Sequence, residues 1–302
     1  MADFFSVQDI SLCLGGRQLL DHVSFSVDTP GRVIGLLGPN GGGKTTLLRA
    51  ICGELPHDGH VFLEGAELAG LRSKELARRV SYIPQQSGIS ISMSALDVVL
   101  MGFYSRLKLF EQPSAKMREA ALQALASVGM DDFANRDYLT LSGGEQQLVI
   151  LARTLIEDTS LLLFDEPDSS LDLGNKYRMM GLIADIVHAA RGSGGSVSRT
   201  CFFSPEEGSE TDTVLDMPYL QSEHAFAGKT AILCLHDPTL ALAYCDILLL
   251  LKDGRLIHTL HPKTDPIAVM EQAFSDIYGE VRLVPVPDPS NCAGNRLILL
   301  PI

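Results

Sequence analysis

Nine consecutive residues, Gly38-Pro39-Asn40-Gly41-Gly42-Gly43-Lys44-Thr45-Thr46, combine the types that bind phosphate. Glycines let successive backbone N–H groups turn inward around oxyanions, and a helix N-terminus behind them adds partial positive charge. Lys44 is a point cation for β- and γ-phosphates, and Thr45 offers a hydroxyl to Mg²⁺. A second pair, Asp165-Glu166, follows the apolar run Leu161 to Phe164. In a parallel sheet, ligands bind at the C-terminal ends of the strands. Neighbouring side chains on a strand diverge, so the two acids take different roles. Asp165 is read as the Mg²⁺ carboxylate, usually through water, and Glu166 as the base or orienter of an attacking water.

The elements that must position these groups are legible around them. Arg32 to Leu37 is nearly continuous apolar sequence, as expected of a strand buried on both faces. It enters the glycine loop directly, and Leu47, Leu48, Ala50 and Ile51 continue as a helix. This strand–loop–helix context is what a P-loop requires. Ala231–Leu235 and Ile247–Leu251 read as further buried strands, and about 175–190 as a helix. Strands alternating with helices predict an α/β fold with a mostly parallel sheet. Between about 86 and 157 the pattern is helical, with Met117, Ala121, Ala124, Leu125 and Val128 on one face and Leu148, Leu151, Ala152 and Leu155 on another. That stretch is expected to form a subdomain inserted into the sheet. A Gly/Ser-rich and then acidic segment, about 191–228, is expected to be a mobile surface insertion, either a linker without a role or a regulatory or docking lid.

Composition excludes several classes. The 302 residues are 46% hydrophobic and 20% charged, which rules out wholesale disorder. With 37 acids against 24 bases the formal charge is −13, so the chain lacks the basic surface that draws nucleic acid. The densest apolar run, Ile247 to Leu251, is far shorter than the ~20 residues needed to span a bilayer. The start of the chain carries no secretory-signal pattern. The six cysteines include no Cys-x-x-Cys pair and read as reduced thiols of a cytosolic protein rather than a metal or disulfide framework.

Beyond these readings, the sequence resembles the ATP-binding-cassette (ABC) ATPases. Leu141-Ser142-Gly143-Gly144-Glu145-Gln146-Gln147 looks like their signature, Gln85 in Tyr82-Ile83-Pro84-Gln85 like the Q-loop glutamine, Ser169-Ser170-Leu171-Asp172 like the D-loop, and His236 like the switch histidine. The resemblance covers about residues 3–260. It implies a P-loop NTPase (RecA-like) core with an antiparallel β subdomain and the inserted α-helical subdomain. An ATPase domain over 1–260 would be followed by a C-terminal extension over 261–302. It further implies that two copies pair head to tail on binding ATP, so that Ser142, Gly143, Gly144 and Asp172 close on the partner's nucleotide. Gln85 would sense Mg²⁺ and the water, and His236 would contact the γ-phosphate.

The short span from Thr45 to Ser142 leaves no room for a long coiled coil, and one cassette without a membrane span looks like an importer subunit bound to separate permease subunits. The stretches Ser94 to Gly102, Asp172 to Asn175 and Ala273 to Gly279 with Val281 to Val286 are similar to the iron-siderophore, haem and cobalamin group; zinc and manganese importers share part of this pattern. The implied localisation is cytoplasmic, on the inner face of the cell membrane, with an extracytoplasmic binding protein delivering substrate. The alternative reading is a regulatory or assembly module that binds ATP and hydrolyses little. Two departures bear on it. Leu14 stands where the family places an aromatic to stack on adenine, with Phe4, Phe5 or a partner residue as candidate replacements. Asp168 replaces a usual threonine and is expected to point away from the phosphates.

Overall fold

The computed structural model describes residues 3–85, 88–108, 110–169, 171–189, 228–287 and 295–301. The stretch 191–227, most of the expected insertion, lies outside the described residues, as does Ser170 of the D-loop. The chain opens with β1 (Phe5–Leu14) and β2 (Arg17–Val27). Next come β3 (Val33–Leu37), α1 (Lys44–Ile51), β4 (Asp58–Leu63), β5 (Ala66–Glu67), α2 (Ser73–Leu76) and β6 (Val80–Ile83). Helices α3 (Ala95–Leu100), α4 (Ala115–Ser127) and α5 (Gly143–Glu157) precede β7 (Leu161–Asp165) and α6 (Leu173–Ala189). The last third holds β8 (Thr230–Cys234), α7 (Pro238–Tyr244), β9 (Ile247–Lys252), β10 (Arg255–Leu260), α8 (Ile267–Tyr278), β11 (Val281–Pro287) and β12 (Asn295–Pro301).

The central six-stranded sheet has the order β10-β9-β3-β8-β7-β6. Its strands are parallel except β10, which returns antiparallel beside β9. An antiparallel four-stranded sheet, β2-β1-β4-β5, forms a second layer, and β11 and β12 make a hairpin. Alternate residues of each central strand enter opposite cores. Val33, Leu37, Leu162, Phe164, Leu248 and Leu250 pack with the helices, whereas Ile34, Leu36, Leu161, Leu163, Leu249 and Leu251 pack with α1 and the antiparallel sheet. Both faces are covered, so these strands read as unbroken apolar runs. Each fully buried leucine contributes roughly 1.5–3 kcal/mol, and a charge at Leu249 would break the layer.

The helical stretch begins each of its three α-helices with a serine cap. Ser94, Ser114 and Ser142 accept the backbone N–H of Asp97, Met117 and Glu145, satisfying donors that have no partner inside the helix. On α4 the expected face holds: Ala121, Ala124 and Leu125 are buried, as is Val128 just beyond it, and Met117 packs at its edge. Helix α5 ends at Asp158, which takes a left-handed conformation with φ 49°.

Candidate nucleotide site

The phosphate loop lies between β3 and α1. Gly38 has φ 150°, and a Cβ there would sit 1.9 Å from the Leu251 carbonyl oxygen, so β9 approaches too closely for any side chain. Gly43 has φ 103° and occupies the N-cap of α1 without a side-chain hydrogen bond to the helix. The first N–H groups of α1 therefore remain open to an anion. Lys44, 6% exposed, folds its Nζ back over the loop, donating to the carbonyls of Gly38 (2.9 Å) and Pro39 (3.1 Å). The cation is thereby held against the start of the loop Gly38-Pro39-Asn40-Gly41-Gly42-Gly43.

Strand β7 brings the acids to this loop from 120 residues away: Thr45 Oγ1 donates to Asp165 Oδ1 at 2.9 Å. Asp165 is buried, and its second oxygen accepts the Tyr82 hydroxyl at 3.2 Å. Burial first, and the Asp165 charge second, raise the Tyr82 phenol above its ordinary range, so it stays a donor. Burial likewise holds the neighbouring Cys234 thiol protonated. Glu166 then turns out of the strand with φ 52°, a conformation that costs a non-glycine residue of order 1 kcal/mol and that recurs at functional sites. The turn lets the carboxylate be gripped from two sides. Gln85 Nε2 donates to Oε2 at 2.7 Å, and His236 Nε2 lies 2.6 Å from Oε1. His236 follows β8, and Asp237 fixes the chain beyond it by capping α7 through the N–H groups of Thr239 (2.8 Å) and Leu240 (3.3 Å). Thr46 lies half-buried in the first turn of α1.

Ser142, Gly143, Gly144 and Asp172 line a different cleft, of about 520 Å³, with Gly129, Asn175 and Arg178 among its walls. Ser142 and Glu145 form a reciprocal cap: the Ser142 hydroxyl accepts the Glu145 N–H at 3.3 Å, and Glu145 Oε2 accepts the Ser142 N–H at 2.7 Å. Hydrogen bonding to the carboxylate from the Ser142 side chain, and then from its backbone N–H, holds the Glu145 carboxyl below its usual range. Asp172 accepts the Asn175 N–H at 2.8 Å and so starts α6. The sequence-derived candidates thus fall into two groups. Thr45, Asp165, Glu166, Gln85 and His236 meet around the loop, whereas Ser142, Gly144 and Asp172 line the second cleft; Gln147 of the signature links the two groups by donating to the Gln85 carbonyl at 3.3 Å.

Two expectations change or sharpen. Phe4 and Phe5 belong to the core under the antiparallel sheet, 8% and 0% exposed, so neither replaces an adenine platform, while Leu14 is 60% exposed at the β1–β2 tip. Both phenylalanines fit the apolar interior better than a solvent-facing edge, which the alternating pattern could not specify. Asp168 is 2% exposed and faces Lys176 Nζ at 3.4 Å. Sequence reasoning missed Tyr82, because a tyrosine within Val80–Ile83 reads as strand core, and only the pairing of Tyr82 with Leu163 in the neighbouring strand discloses its partner.

A parallel strand that ends in a glycine loop capped by a lysine, with an acid pair on a neighbouring strand, defines a P-loop protein built for nucleotide hydrolysis. The family model described as ABC transporter matches residues 20–169. A hemin import ATP-binding protein, HmuV, from Bordetella bronchiseptica is 34% identical over 267 residues, covering 85% of this chain and 86% of that protein. A cobalamin import ATP-binding protein, BtuD, from Halobacterium salinarum is 29% identical, covering 97% of this chain and 66% of that protein. Among solved structures, a chain of an inward-facing ABC transporter of metal-chelate type superposes with a TM-score of 0.73 at 20% identity, covering 100% of this chain and 98% of that chain, and shows the same fold. The chain belongs to the ABC transporter family and is an ATP-binding-cassette ATPase.

Proposed function

We propose that this ATPase is the energy-supplying subunit of an importer for a metal chelate of the haem or cobalamin class, working as an ATP-closed homodimer beneath separate permease subunits. The observation that carries the hydrolytic part is Glu166, gripped by Gln85 and His236 beside the Thr45–Asp165 pair. A carboxylate hydrogen-bonded by Gln85 on one oxygen and held against His236 Nε2 on the other is fixed in direction, which is what a base for a water aimed at a γ-phosphate needs. The importer part rests on the likeness to the hemin and cobalamin import proteins over most of the chain.

The residues fit Mg²⁺ arriving with ATP. Among the described residues no cluster of three or more His, Cys, Asp or Glu side chains could hold a metal alone, whereas Mg²⁺ is ordinarily bound by one or two protein oxygens plus substrate phosphates and water. Thr45 and Asp165 supply those oxygens, with Gln85 nearby. Held by Thr45 and Asp165, such an ion would supply positive charge to offset that of the phosphates. Lys44 and the loop N–H groups hold the phosphates, Glu166 orients the water, and His236 steadies Glu166 within reach of the γ-phosphate. In the dimer, Ser142, Gly143, Gly144 and Asp172 complete the partner's site. Residues 1–260 form the ATPase domain, with the helical subdomain at about 86–157 facing the permease. The rest, 261–302, forms a C-terminal extension. An extracytoplasmic binding protein presents the chelate to the permease.

No described helix is long and apolar enough to cross a membrane, consistent with a subunit held at the inner face of the cell membrane through its permease. A second reading, a module that binds ATP with little turnover, draws support from exposed Leu14 with Phe4 and Phe5 locked in the core. The deciding experiment is light scattering on purified Glu166→Gln with and without Mg-ATP. A dimer formed only with ATP supports the transport ATPase; a chain still monomeric at millimolar ATP favours the module.

A further inference from the structure

Strand β6 is the outermost strand of the central sheet, and it and the residues just beyond it present two donors to two adjacent acids. Gln85 reaches Glu166 Oε2 at 2.7 Å, and three residues earlier Tyr82 reaches Asp165 Oδ2 at 3.2 Å. Asp165 is also held on its other oxygen by Thr45, at 2.9 Å. A carboxylate accepting on both oxygens cannot rotate without breaking one bond. Because Thr45 gives its single proton to Asp165, the lone pairs of that hydroxyl stay available for a cation. The Tyr82 hydroxyl is not needed to join the strands, since β6 and β7 already pair from Val80↔Leu161 to Ile83↔Phe164. Nor does filling space explain it, for a phenylalanine ring would pack equally well.

We propose that Tyr82 is a positioning residue for the metal, holding Asp165 in the orientation that, with Thr45, receives the Mg²⁺ accompanying ATP. This rests on the reading of Thr45 and Asp165 as the Mg²⁺ site. Outer-shell hydrogen bonds that orient a metal's carboxylate commonly change metal affinity 10- to 100-fold. Tyr82→Phe keeps the ring and removes only the hydroxyl.

The test is a titration of the full chain with Mn²⁺, free Mn²⁺ being followed by electron paramagnetic resonance at a saturating concentration of a non-hydrolysable ATP analogue. The affinity for the same analogue is measured in EDTA alongside, for wild type, Tyr82→Phe and Asp165→Asn. Support is a weakening of Mn²⁺ binding by about tenfold in Tyr82→Phe, a larger loss in Asp165→Asn, and metal-free analogue affinity within twofold of wild type. Mn²⁺ binding unchanged in Tyr82→Phe but lost in Asp165→Asn overturns the role of Tyr82 and leaves the metal site standing. An equal fall in metal-bound and metal-free affinities overturns it too, because the effect is then a general collapse of the pocket. If Asp165→Asn binds Mn²⁺ as wild type does, the metal reading itself fails and takes the proposal with it.

Discussion

The phosphate loop and the signature cleft are both built at the start of an α-helix, and they differ in what satisfies the helix's first N–H groups. At α1 the N-cap is Gly43, which contributes no side-chain bond, and a buried Lys44 stands beside the open donors. At α5 the N-cap is Ser142, whose hydroxyl and the Glu145 carboxylate close a reciprocal pair. The first arrangement leaves backbone donors beside a buried cation, close to Asp165, Glu166, Gln85 and His236. The second is a self-satisfied helix start, with Glu145 in its first turn. Local structure therefore favours α1 over α5 as the proposed phosphate site within one chain, because, of the two, only α1 leaves its first N–H groups without a side-chain cap.

Substitutions can break or sharpen this contrast. Glu166→Gln should lower the rate of ATP hydrolysis about 1000-fold, the middle of the range for losing a general base, while ATP affinity stays within twofold. Phosphate release and calorimetry measure the two separately, and a near-wild-type rate would remove Glu166 from the chemistry. Lys44→Ala should weaken ATP binding about 100-fold, because charge-assisted hydrogen bonds to phosphate are worth roughly 1.5–3 kcal/mol each. If that variant binds as tightly as wild type, α1 is not the phosphate site. Leu14→Tyr should tighten ATP binding roughly tenfold, stacking on a base being worth ~1–3 kcal/mol, provided the β1–β2 tip overlies the adenine. No gain in affinity would place the base elsewhere. The smallest effect is expected at Ser142→Ala, a loss of about 1 kcal/mol of stability from the missing cap, read as a lower thermal midpoint, with single-chain ATP affinity unchanged. A fall in that affinity would mean that the two helix starts serve one nucleotide within one chain.

Much of the fold was legible beforehand because its strands are buried on both faces. Such strands appear as apolar runs of fixed length, and Val33–Leu37, Leu161–Asp165 and Ile247–Lys252 fall within a residue of the expected bounds. Less legible were contacts between side chains on different elements. Tyr82 and Asp168 are polar residues in apolar or loop surroundings, and residue type alone does not reveal whether either meets Asp165, Lys176 or solvent. The stretch 191–227, which composition sets apart, lies outside the described residues.

By itself the sequence determined the local chemistry: a glycine loop ahead of Lys44 and Thr45, an acid pair at a strand end, and serine caps at helix starts. Each depends on residues within a few positions of one another, so spacing is enough. Tertiary structure alone decided which of these groups act on each other. The order β3-β8-β7-β6 brings Thr45, His236, Asp165 with Glu166, and Tyr82 with Gln85 to a single sheet edge. It also consigns Phe4 and Phe5 to the core. Strand order follows from how the two apolar faces are best covered, a property of the whole chain that no local window contains.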